Sequence, residues 1–138
     1  FKAIYQPELI SNKEQVRDAI DKQGVSIIDA RPKARFLGEE LEFRPGLRSG
    51  HMPSAINLPI EEILNNKTMK SAYQLAQVFE ALMPQKQRLV FSCGSGVTAC
   101  ILALAAKIAG YDALSVYDGS WSEWGANDNL PVVQKVTD

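Results

Sequence analysis

Leu89-Val90-Phe91 runs into Ser92-Cys93-Gly94-Ser95-Gly96, and an apolar, helix-forming run from Val97 to Ala109 follows, stopped by Gly110. This stretch constrains the chain more than any other. It reads as a strand, a tight loop and a helix in direct succession, with a cysteine at the turn. Similar apolar runs at Val25-Ser26-Ile27-Ile28 and Leu114-Ser115-Val116-Tyr117 alternate with helical patterns. Strands alternating with helices imply an α/β fold with a parallel central sheet and helices on both faces. Sites in such sheets form at the carboxyl ends of the strands, and Cys93 stands just past one of them.

That position suits a reactive thiol. Gly94 and Gly96 can take backbone angles that residues with a Cβ avoid, so the loop can curl its N–H groups around one point. The following helix adds its positive end and its unpaired N–H donors. Such surroundings favour the thiolate, which is the nucleophilic form. A small buried cysteine at a strand end is the alternative, since free cysteines are commonly buried.

Other readings of the loop are weaker. Gly94-Ser95-Gly96-Val97-Thr98-Ala99 fits the dinucleotide pattern G-x-G-x-x-G/A, with Asp118 near the place of the ribose-binding acid. That pattern belongs in the first strand–helix unit of its fold, and here it comes late. A cysteine phosphatase needs a cation in the loop, and no Arg or Lys lies between Arg88 and Lys107. Cys93 and Cys100 are seven residues apart, roughly two helical turns, beyond disulfide reach. With one histidine, the two cysteines make no convincing metal set. Cys100 is expected to pack within the helix, and that helix, apolar nearly all round, to be central and buried.

The 138 residues suit one domain. Fifteen basic against sixteen acidic residues leave a net charge of −1, and no basic run exists to contact nucleic acid. No apolar stretch reaches membrane-spanning length. With no signal peptide visible, the expected compartment is the cytoplasm. The chain begins at Phe1, and a preceding domain is expected in the full protein.

Ser11-Asn12-Lys13-Glu14 reads as a capping box for a first helix with Val16, Ala19 and Ile20 on its apolar stripe, ended by Gly24. Residues 31–54 form a long irregular stretch carrying Arg31, Lys33, Arg35, Arg44 and Arg48. Arginines grip carboxylates with paired hydrogen bonds. A solvated loop, its cations paired with Glu39, Glu40 and Glu42, is the equal alternative. His51, the sole histidine, stands in a Gly/Pro-rich turn and suits a structural role bonded to backbone. Ile56–Leu58 is a short strand, 61–65 a short helix, and Ser71–Met83 a clearer helix with Pro84 beyond its end. Trp121 and Trp124 are expected as core anchors, and the polar tail 127–138 as a surface segment, like residues 1–10.

Four motifs in this order resemble those of rhodanese-type sulfurtransferase domains. They are Asp29-Ala30-Arg31 with Arg35-Phe36, Gly50-His51-Met52-Pro53 with Ala55-Ile56-Asn57-Leu58-Pro59, the Cys93 loop, and Tyr117-Asp118-Gly119-Ser120-Trp121-Ser122-Glu123-Trp124. Ser54 replaces the glycine usual in that family. Within it, Cys-Gly-Ser-Gly-Val-Thr resembles the 3-mercaptopyruvate-using members. The resemblance implies a rhodanese-like fold, no cofactor and no metal. It implies a Cys93 persulfide as intermediate, with Ser95 aiding proton handling. Arg35 and Arg44, nine apart, match the arginines that hold the substrate's carboxylate end. Gly94, Gly96, Val97 and Thr98 would line the persulfide cradle. It implies as partners a small-molecule sulfur donor, a thiol acceptor such as a thioredoxin-like protein, and an N-terminal rhodanese domain preceding this second, catalytic one. The alternatives are a thiosulfate-preferring enzyme and a non-catalytic binding or regulatory module.

Overall fold

The computed structural model describes residues 1–83 and 85–134. Its elements in chain order are β1 (Ile10–Ser11), α1 (Lys13–Ile20), β2 (Val25–Asp29), α2 (Lys33–Phe36), β3 (Ile56–Asn57), β4 (Leu64–Asn65), β5 (Thr68–Met69), α3 (Ala72–Leu82), β6 (Arg88–Ser92), α4 (Val97–Ile108), β7 (Leu114–Tyr117) and α5 (Ser120–Trp124). Five strands form one sheet in the order β1-β7-β6-β2-β3. Every pairing in it is parallel, and β2 and β6 run in register from Val25↔Arg88 to Asp29↔Ser92. The parallel α/β expectation therefore holds. β1 and β3, the two edges, are only two residues long.

Side chains alternate across the sheet, as the period of two requires. Ile28, Leu89 and Phe91 pack with Leu75 and Phe79 of α3 and Ala99 and Leu102 of α4. Ile27 and Val90 pack on the other face with Val16 and Ala19 of α1 and with Trp121 and Trp124 of α5. Both tryptophans are fully buried, the anchors expected. The α3 helix begins with a capping box between Ser71 and Gln74. Pro84, expected just beyond its end, lies outside the described residues.

Several local expectations are corrected. The first helix is capped by Asn12 with Gln15, not by Ser11 with Glu14. Ser11 is taken by β1, opposite Tyr117, with its Oγ 2.7 Å from Ser115 Oγ. Asparagine caps a helix as well as serine does. That helix closes at Ile20, and Gly24, at φ +82°, shapes the turn into β2 instead. Residues 60–63 form a 3₁₀ turn, and Leu64–Asn65 pairs back on Thr68–Met69 as a small hairpin. Within the irregular 31–54 stretch, one short helix, α2, is present. The tail is not wholly superficial: Leu130 is buried, and Val133 and His51 exchange backbone hydrogen bonds. Its residues 135–138 lie outside the described set. Ser54 sits at φ +65°, a conformation glycine takes without strain, and donates its hydroxyl to Ile20 O.

The largest correction concerns α4. Its Ala99, Leu102, Ala105 and Ala106 are buried, but Val97, Ile101, Leu104 and Ile108 face solvent, and Cys100 is exposed too. The helix contributes one face to the core and leaves a second apolar face outside. Cys100 Sγ donates to Gly96 O at 3.3 Å within its own helix. No helix of the described residues is long and apolar enough to cross a membrane.

Two leucines two positions apart on α4 distinguish its faces. Leu102 is wholly buried and Leu104 is 55 % exposed. Leu102→Ala is expected to cost about 2–5 kcal/mol of stability. Leu104→Ala should stay within about 0.5 kcal/mol. Urea unfolding midpoints of the two variants check both values.

Candidate active site

β6 delivers Cys93 to the carboxyl edge of the sheet, and α5 fixes the loop that follows. Trp121 N–H donates to Cys93 O at 2.9 Å, and Ser122 N–H to Gly94 O at 3.0 Å. Cys93 N–H donates to Ser120 Oγ at 3.1 Å, and that hydroxyl donates to Tyr117 O at 2.8 Å. Ser120 holds this post at φ +51° while fully buried. Gly96 takes φ +95°, and a Cβ there would stand 2.8 Å from Asp118 O. Only glycine permits both the turn and that approach.

One donor of the loop reaches the sulfur. Gly96 N–H donates to Cys93 Sγ at 3.0 Å. The backbone N–H groups of Gly94, Ser95, Val97 and Thr98 find no acceptor among the described residues. Cys93 is itself buried, and α4 begins close after it at Val97. The geometry is that of a small cradle for negative charge on sulfur.

Across from it lies the 35–47 segment. Cys93, Gly94, Ser95 and Thr98 form one wall of an open cavity of about 200 Å³; Arg35, Glu42, Phe43, Arg44 and Leu47 form the other. Arg35 and Arg44 of the sequence reading are thus brought together with Cys93, Gly94, Ser95 and Thr98. Gly96 serves through its N–H rather than as wall, and Val97 turns its side chain to solvent. Arg44 is exposed and makes no ion pair among the described residues. Arg35 has its guanidinium 4.7 Å over the Phe43 ring and 3.5 Å from Glu42 Oε2. Ser95 is exposed at the rim.

Arg31 and Arg48 of the 31–54 stretch are structural, and Lys33 is exposed. Arg31 is fully buried: Asp29 accepts from its Nε and Nη2, Glu42 from Nη1 at 2.7 Å, and Gly50 O from Nη2 at 2.8 Å. Its guanidinium lies 4.2 Å over the Trp121 ring. Arg48 donates to the carbonyls of Trp124, Gly125, Asn127 and Leu130. His51 is not in the cavity. It stacks on Phe36 at 3.8 Å, and its Nδ1 lies 2.6 Å from Phe36 O. Burial pushes the imidazole down from its ordinary value, which holds it neutral. No cluster of His, Cys, Asp or Glu among the described residues could hold a metal.

Ser120 and the cavity-facing place of Glu42 escape sequence reasoning. Glu42 is visible there only as one of three acids able to neutralise the arginines. Ser120 is 27 residues from Cys93, with no local signal linking them.

A buried cysteine whose sulfur accepts a backbone N–H thus shares one cavity with two arginines at the carboxyl edge of a parallel sheet. The chain belongs to the rhodanese-like domain family, whose pattern matches residues 12–127. It is 41% identical over 133 residues to a 3-mercaptopyruvate sulfurtransferase of Escherichia coli (strain K12), covering 96% of this chain and 47% of that protein. It is 40% identical over 126 residues to a thiosulfate sulfurtransferase of Gallus gallus, covering 90% of this chain and 43% of that protein. Among solved structures it resembles the sulfur transferase subunit of yeast mitochondrial complex I, with TM-score 0.83 and 36% identity over 95% of this chain and 47% of that one. The chain spans about half the length of the curated relatives it matches.

Ser120→Ala removes the acceptor of the buried Cys93 N–H. The expected cost is about 1–3 kcal/mol of stability, the usual penalty for an unpaired buried donor. Chemical denaturation of the variant measures it.

Proposed function

We propose that this chain is the persulfide-forming domain of a sulfurtransferase that takes sulfur from 3-mercaptopyruvate. The observation that supports this best is that the Cys93 sulfur and the Arg35–Arg44 pair share one cavity. Cys93 thiolate attacks the donor sulfur. The carbon–sulfur bond breaks, its electron pair leaves as the pyruvate enolate, and a proton then gives pyruvate. Arg35 and Arg44 hold the carboxylate and the neighbouring carbonyl oxygen. The Gly96 N–H and the unpaired loop N–H groups stabilise negative charge on the Cys93 persulfide. In this reading Ser95, exposed at the rim, passes protons. An acceptor thiolate then attacks the terminal sulfur, and the S–S bond breaks to restore Cys93. A thioredoxin-like dithiol protein suits this step in the reducing cytoplasm, where we place the reaction. A further rhodanese domain, in the length that the relatives have and this chain lacks, would complete the cleft.

A second reading has thiosulfate as the donor. The likeness to the Gallus gallus thiosulfate sulfurtransferase supports it. Intact mass of the full natural protein after incubation with each donor separates the two. The expected result is a gain of one sulfur on Cys93 with 3-mercaptopyruvate, removed by cyanide. Cys93→Ser should abolish the gain and Cys100→Ser should leave it. A gain with thiosulfate alone moves the assignment to the second reading, and a gain with neither overturns both.

The arginines make a separate prediction. Arg35→Ala and Arg44→Ala should each raise KM for 3-mercaptopyruvate by about 10- to 100-fold, the loss of a charge-assisted contact. KM for an uncharged persulfide donor should change little. Steady-state kinetics with both donors check this.

A further inference from the structure

Glu42 is the only acidic side chain on the cavity wall among the described residues. Its side chain is 5 % exposed, and both carboxylate oxygens face arginines: Arg31 Nη1 at 2.7 Å and Arg35 Nη1 at 3.5 Å. A carboxylate in a cavity for anions opposes binding, and sulfur transfer to Cys93 has no step that needs one. Its place is explained by charge. Beneath the cavity, Asp29 already matches Arg31 at 2.7 Å. Glu42 is left to cancel Arg35, while Arg44 has no ion-pair partner among the described residues. The wall opposite the Cys93 thiolate, formed by Arg35, Glu42 and Arg44, then carries one net positive charge instead of two.

We propose that Glu42 is a specificity-determining residue, setting the arginine-bearing wall of the cavity at one net positive charge and so favouring singly charged carboxylate donors over dianions such as thiosulfate. The proposal rests on the sulfur-donor reading above. Each charge on the wall acts on every charge of the donor, so a second negative charge on the donor gains more from a doubly positive cavity. With only one positive charge opposite, that second charge loses its water without full compensation. Glu42 also orients what it neutralises, since the Arg35 guanidinium sits between it and the Phe43 ring.

The test uses Glu42→Gln and Glu42→Asp in the full natural protein, with kcat/KM measured for thiosulfate and 3-mercaptopyruvate over a range of ionic strength. Glu42→Gln should raise the thiosulfate-to-mercaptopyruvate ratio by about tenfold, chiefly through KM for thiosulfate and with a steeper salt dependence. Glu42→Asp, which keeps the charge, should hold the ratio within about twofold of the parent. Phe43→Lys adds a positive charge at an exposed position on the same wall without touching Arg31, and it should raise the ratio as well. An equal change for both donors in Glu42→Gln, an equal rise in Glu42→Asp, or no rise in Phe43→Lys overturns the proposal. Calorimetric binding of sulfate and pyruvate needs no turnover. Glu42→Gln should tighten sulfate relative to pyruvate, and an unchanged ratio again overturns the proposal. A parent protein that takes sulfur from neither donor defeats the donor reading, while the sulfate-to-pyruvate ratio still decides the role of Glu42.

Discussion

Arg31 is a charge placed where water cannot reach it, and much of the molecule is arranged to make that tolerable. A buried cation is costly unless its donors are all met. Asp29 meets it from the end of β2, Glu42 from the following loop, Gly50 from the loop's far end, and the Trp121 face from α5. One side chain therefore binds the carboxyl edge of the sheet, both ends of the arginine-bearing loop and the helix that steadies Cys93. Removing any one partner would leave charge exposed to the apolar interior. The same bonds hold the loop that carries Arg35 and Arg44 on the wall of the cavity that Cys93 also lines.

The cysteine loop depends on α5 in a related way. The first N–H groups of a helix have no partner inside it. Here Trp121 and Ser122 donate theirs to the carbonyls of Cys93 and Gly94, and Ser120 takes the Cys93 N–H. With the Cys93 and Gly94 carbonyls held by α5, the loop brings the Gly96 N–H onto the sulfur. Trp121 is thus shared: its ring covers Arg31, its indole N–H donates to Arg48 O, and its backbone anchors the cysteine.

The parts that were legible in the chain are those whose causes are local. An apolar run, two glycines and a helical run specify the β6–loop–α4 unit within about twenty residues. Arg35 and Arg44 could be singled out by motif, although nothing local says which arginine turns inward: Arg31 and Arg48 belong to the same cationic stretch and both serve the framework. What was not legible is set by distant partners. Ser11 looks like a cap until β7 claims it from 104 residues away. Glu42 looks like one solvated acid among three until Arg31 is known to be buried. The outer apolar face of α4 has a subtler cause: periodicity reports how apolar a face is, not whether this chain covers it.

The two-residue edges of the sheet bear on how the protein behaves in a crowded solution. A long exposed edge strand offers a row of unpaired backbone groups on which another chain can add a strand. β1 and β3 offer two residues each, and the chain leaves the sheet at once on either side, into α1 after Ser11 and toward a 3₁₀ turn after Asn57. The long, strongly apolar strands β2 and β6 lie side by side in the interior of the sheet. The segments most able to seed cross-β stacking are therefore sealed within the fold, and growth of a fibre from the native state has almost no template.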